Sequence, residues 1–145
     1  MLLVNLIAGS FVIAATVMIH TFGLILLTRW MSWIVHWFRL HRHSFAQSVA
    51  MVTTVIGLFL VHTVEVWTWA ATYILIGVVP GLEPALYFST VTFSTLGYGD
   101  ITPLPGWRLL AALEAVNGFI LIGWSTAYLV AASTRHGPFR IGEHF

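Results

Sequence analysis

Residues 95–100 read Thr-Leu-Gly-Tyr-Gly-Asp. Glycines in alternation open backbone dihedrals that side-chain-bearing residues resist. Consecutive carbonyls can then point to one side of the chain, whereas a strand alternates them and a helix aligns them along its axis and consumes them in its own bonds. Rings of such carbonyls replace the hydration shell of a dehydrated cation. One chain offers too few oxygens to surround an ion, whereas four around an axis offer enough, which predicts a C4 homotetramer with heterologous contacts. A second chemically capable group is His62, Glu65 and Glu114. His62 and Glu65 are three apart and share a helix face. His-x-x-Glu is half of a carboxylate metal site, but nothing completes it, so the expectation is a hydrogen-bonded clamp between helices, with Thr92 or Ser94 as partner. A proton-sensitive gate is the sharper reading of the same residues. His20 is expected to pack against another helix. With no Ser-His-Asp, Walker or dinucleotide pattern, catalysis has no support, and with no Cys, thiolate and disulfide chemistry is excluded.

The elements that must position these residues are membrane-embedded. The 145-residue chain is 59% apolar and 8% charged, with a mean hydropathy of +0.91, whereas soluble domains carry about 25% charged residues. The six basic residues, all Arg, against five acids leave a net charge of +1, too little for a nucleic-acid surface. About 20 apolar residues cross a ~30 Å hydrocarbon core, and three segments reach that length, roughly 3–28, 49–79 and 107–133. The first lacks a positive n-region and is too long for a secretory signal. Ionisable groups within spans, His62, Glu65 and Glu114 among them, should face protein or water.

Arg29, Arg39 and Arg42 follow the first span, and Arg135 and Arg140 follow the third. Positive-inside bias then places the N-terminus outside the cell membrane and the 29–48 connector and the 135–145 tail in the cytoplasm. The connector mixes Trp30, Met31, Trp33, Ile34, Trp37, Phe38 and Leu40 with Arg29, His36, Arg39 and His41. That suits an interfacial helix in contact with membrane lipid; a pH- or lipid-sensing element at His36, His41 and His43 is the alternative. No soluble regulatory domain is expected after Arg135.

Between the second and third spans, Pro80-Gly81 ends one helix and Glu83-Pro84 begins another, with an acid near its positive dipole end. From Pro84 to about Ser94 this helix is ~16 Å long. It can enter the membrane but cannot cross it. Non-helical backbone at that depth is tolerated only where it is buried in protein or lines a watery path.

Thr95-Leu96-Gly97-Tyr98-Gly99-Asp100 resembles the selectivity-filter signature of potassium channels, with Leu96 at the usual Val position. The preceding Tyr87-Phe88-Ser89-Thr90-Val91-Thr92-Phe93-Ser94 is similar to that family's pore helix. The resemblance covers residues 49–134 as a pore domain: outer helix 49–79, pore helix 84–94, filter 95–100 and inner helix 107–134, with residues 1–28 as an extra N-terminal span. It implies potassium ions held by the carbonyls of Thr95, Leu96, Gly97 and Tyr98 and by the Thr95 hydroxyl. Gly99 and Asp100 would support the filter, with Asp100 at the outer mouth. Tyr98 would brace the filter against Tyr87 and Phe88, where relatives often place Trp. Val91 stands where some relatives place an acid behind the filter. Gly118 stands at the family's hinge position, with close helix packing as the alternative reading. Phe119, Ile122 and Thr126 would line the cavity and lower gate.

The resemblance thus implies an all-α, tetrameric, potassium-selective channel. Lacking the regular Arg series of a voltage sensor, it would be leak-like or modulated by pH or lipid. The alternatives are a poorly selective monovalent cation channel and a non-conducting subunit that tunes another channel.

Overall fold

The computed structural model describes residues 1–37 and 44–136. They form four helices, α1 (Leu2–Trp37), α2 (Ser44–Leu75), α3 (Leu82–Phe93) and α4 (Arg108–His136), with a 3₁₀ turn at Pro105–Trp107 leading into α4. No strand occurs among the described residues, so the fold is all-α. α1, α2 and α4 are each long and apolar enough to cross a membrane. α3 has 12 residues, ~18 Å of helix, and is not.

Element boundaries differ from the sequence expectation in ways local chemistry explains. α1 runs unbroken past residue 28 to Trp37, because Arg29 is a good helix former and no Gly or Pro interrupts 24–37. Trp30 and Trp33 are half exposed, with ring centroids 6.0 Å apart. Phe38, Arg39, Leu40, His41, Arg42 and His43, expected in the interfacial element, lie outside the described residues, as do the side chains of Ile34, His36 and Trp37. α2 stops at Leu75, not 79. Gly77 takes φ +70° there, the Val78 N–H reaches the Tyr73 carbonyl at 2.9 Å and the Gly77 N–H reaches Ile74 at 3.1 Å. This is a Schellman stop, which the apolar Val78-Val79 disguises in the sequence. α3 begins at Leu82, two residues early, and Pro84 is still tolerated because the first four N–H groups of a helix have no partner within it.

α1 packs along both α2 and α4. Its buried stripe is Asn5, Gly9, Val12, Thr16, His20, Leu24 and Met31, spaced for one helix face. Polar contacts punctuate that stripe. Asn5 donates to the Gly106 carbonyl at 2.8 Å and accepts the Leu110 N–H at 3.1 Å, so it caps the first turn of α4. Asn117 of α4 donates to Thr16 at 2.8 Å. Lower down, the Thr28 and Tyr128 hydroxyls lie 3.0 Å apart. Trp69 and Tyr73 of α2, Phe88 and Phe93 of α3, and Leu110 and Leu121 of α4 form the apolar core.

Candidate functional site

Thr95, Gly97 and Gly99 have φ of +60°, +54° and +79°, while Leu96 and Tyr98 do not share the positive sign. Backbone of alternating hand gathers successive N–H groups on one side and leaves the carbonyls on the other. The N–H side is identified by its bonds. Gly97 donates to the Val91 carbonyl and Thr95 to the Thr92 carbonyl, both at 2.9 Å, so these two N–H groups turn toward the last turn of α3. Where an acid behind the filter is absent and Val91 stands, this main-chain bond joins helix and loop. Thr95 is the one non-glycine with positive φ among the described residues. The left-handed conformation costs an L-residue about 1–2 kcal/mol, and such strain concentrates at working sites.

Within one chain, the partners of Tyr87 and Phe88 are residues other than Tyr98. The Tyr87 hydroxyl donates to Asp100 Oδ2 at 2.7 Å, tying the loop's last residue to the upper part of α3. Phe88 is buried edge-on against Tyr73, with centroids 5.1 Å apart, because its side of α3 faces α2. Tyr98 is 69% exposed on the single chain. The Tyr87 hydrogen bond holds the Asp100 carboxyl below its ordinary range, and the same bond raises the Tyr87 phenol. In Tyr87→Phe the Asp100 carboxylate loses its main stabilising donor, so it should take up a proton at higher pH than in the parent. A carboxyl-carbon NMR titration of Asp100 checks this, and an unchanged midpoint would show that the bond does not persist in solution.

Glu114 is fully buried and joins three helices. The Tyr73 hydroxyl of α2 donates to its Oε2 and the Ser89 hydroxyl of α3 donates to its Oε1, each at 2.5 Å; Ser89 also lies 3.0 Å from the Val66 carbonyl. One turn along α4, Gly118 abuts the carbonyl of Phe93 so closely that a Cβ there would collide with it. Positions 114 and 118 of α4 thus face positions 89 and 93 of α3. Gly118 serves close packing, and no kink is needed to explain it. Phe119 is 69% exposed, Ile122 is 37% exposed, and the exposed Thr126 returns its hydroxyl to the Ile122 carbonyl at 2.9 Å. These three lie on a side of α4 that its own chain leaves largely uncovered.

The expected partners of Glu65 require correction. Neither Thr92 nor Ser94 reaches it; the Ser94 hydroxyl is bonded to the Thr90 carbonyl at 2.7 Å, within its own helix. Glu65 Oε1 meets His20 Nδ1 at 2.8 Å and Oε2 meets His62 Nδ1 at 2.7 Å, and His62 Nε2 meets the Ser125 hydroxyl at 2.9 Å. The residue that completes the His-x-x-Glu pair is therefore His20, brought from α1. The signal for it was the polar series Asn5, Thr16 and His20 on one face of an otherwise apolar span. Glu65→Gln should retain assembly, because an amide still bonds to both imidazoles. Glu65→Leu should weaken it, since each buried donor left without a partner costs about 1–3 kcal/mol. Thermal unfolding and native mass of the two variants in mild detergent check this. A Glu65→Leu protein as stable as the parent would contradict it.

Residues 61–135 match the model of a family described as ion channel. Forty residues are 45% identical to Protein LctB of Bacillus caldotenax and, equally, to Protein LctB of Geobacillus stearothermophilus. That stretch is 28% of this chain and spans 30% of the length of each relative. No solved structure matches the chain significantly.

Proposed function

The chain belongs to the ion channel family, and from that premise we propose that four copies of it form a potassium-selective pore. The observation that carries the reading is the alternation of positive φ at Thr95, Gly97 and Gly99, in a loop that follows a half-length helix between two spans. Carbonyls of Thr95, Leu96, Gly97 and Tyr98 face away from α3, toward the axis of the tetramer, and take the place of water around potassium ions. The exposed Leu96 and Tyr98 and the uncovered Phe119 side of α4 are the surfaces that neighbouring copies close. Arg distribution favours a cytoplasmic C-terminus and an outward Asp100, where a carboxylate held in its charged form by Tyr87 concentrates cations. Glu114 and Gly118 fix α4 to α3 and so set the position of the filter relative to the inner helix.

Purified protein in liposomes should pass potassium and largely exclude sodium under matched gradients. In mild detergent that preserves this flux, the native mass should equal four chains of 16.1 kDa each. Equal potassium and sodium flux would favour a poorly selective cation pore. A lack of flux would leave a subunit that acts on another channel, and a monomeric or dimeric conducting species would remove the four-fold model.

A further inference from the structure

We propose that His20, His62 and Glu65 form a binding site for a transition-metal dication of the zinc type, fastening α1 to α2 inside the helical bundle. One ligand atom from each of the three residues lies within 4.8 Å of the others. Two imidazoles and one carboxylate are a donor set that binds zinc tetrahedrally and leaves a fourth position for water. Both Nδ1 atoms converge on the two oxygens of the same carboxylate, at 2.8 and 2.7 Å. A dication there takes the place of the hydrogens in those contacts, each imidazole proton moving from Nδ1 to Nε2 of its own ring. Metal–ligand bonds of ~2.1 Å at tetrahedral angles separate ligand atoms by roughly 3.4 Å, so the carboxylate and the two imidazoles must part by about 0.6–0.7 Å from the present 2.8 and 2.7 Å.

Two observations beyond the donor set point to a ligand. The first is an unpartnered atom. His20 and Glu65 are fully buried, yet His20 Nε2 has no hydrogen-bond partner. The hydrogen-bonded cluster alone leaves that imidazole half satisfied, an unusual state for a buried polar group. Ligation through Nδ1 puts the ring's proton on Nε2, and the neighbouring Trp124 ring, its centroid 5.2 Å from that of His20, is a π-face on which an N–H can rest. The second is outer support. His62 Nε2 is held by Ser125 at 2.9 Å, the kind of partner that orients a metal-bound histidine and fixes its tautomer. Entry is through His62, whose side chain is 19% exposed while the other two ligands are closed off. The site also touches the pore end of the bundle, since His62 packs edge-on against Phe93 with centroids 5.9 Å apart. A bound metal thus braces α1, α2 and, through Ser125, α4 at the depth where α3 ends.

The test uses the full chain in detergent, stripped with a chelator and then given zinc or cobalt alone. Five further histidines occur in the sequence, so the informative quantity is the difference between parent and Glu65→Gln. The parent should retain one more zinc per chain than Glu65→Gln, and its cobalt form should show the intense visible absorption of four-coordinate cobalt, absent from the variant. Ser125→Ala should keep the site but weaken it roughly 10- to 100-fold. Equal zinc content in parent and Glu65→Gln, or a cobalt spectrum that the substitution leaves unchanged, would overturn the proposal. Zinc-edge absorption on the parent does not depend on any variant folding, and a spectrum without imidazole ligands would overturn it equally. None of these readouts involves ion flux, so failure here would leave the pore reading untouched.

Discussion

Gly97→Ala should abolish discrimination between potassium and sodium. Gly97 has φ +54°, and its N–H is committed to the Val91 carbonyl at 2.9 Å. Within the chain, nothing lies within 4 Å of where an alanine Cβ would sit, so crowding is not the obstacle. The dihedral is. An L-residue pays about 1–2 kcal/mol in the left-handed region, and in the proposed four-fold pore that penalty would recur at every copy around one ion site. Release of the strain turns the peptide, takes a carbonyl out of the ring and leaves an N–H in its place, which repels a cation. Thr95 already holds φ +60° without being glycine, so the segment has little further strain to absorb. Reversal potentials under potassium and sodium gradients in liposomes measure the outcome. Unchanged selectivity in Gly97→Ala would mean that residues 95–100 are not the filter.

Gly118→Ala should be the most damaging small substitution in α4. Ordinarily alanine stabilises a helix by about 1 kcal/mol relative to glycine. Here the added Cβ meets the backbone carbonyl of Phe93, which has no rotamer to change. Overpacking of this kind costs about 1–3 kcal/mol, and the end of α3 must move to relieve it. Phe93 is two residues from Thr95, so the displacement reaches the loop as well as the core. Gly123 is the comparison within one chain: no atom of its own chain lies within 4 Å of its Cβ position, so Gly123→Ala meets nothing of α3. We expect Gly118→Ala to lower the unfolding temperature and the potassium-to-sodium permeability ratio together. If Gly118→Ala matched the parent in both measurements, the close contact between α3 and α4 would not exist in the working protein.

Sequence by itself determined the features that depend on composition or on neighbouring residues. An apolar share of 59% with 8% charge requires a membrane, and three long apolar runs require helices, since no other open structure satisfies its backbone in lipid. The half-length α3 was legible from Pro80-Gly81 before it and from the glycines after it. Positive φ at positions 97 and 99 is a local property of glycine, and the residue types announce it. Only the tertiary structure decided which buried groups meet. Glu65 finds His20, 45 residues away, and Glu114 finds Tyr73 and Ser89, 41 and 25 residues away. It also decided that Phe88 belongs to the core on Tyr73, that Tyr87 holds Asp100, and that Gly118 serves contact. These pairings depend on the rotation of each helix about its own axis. A span that is apolar nearly all round has no strongly preferred face toward lipid, so its rotation is set by a few polar side chains that must find each other, and their meeting is a property of the packed bundle.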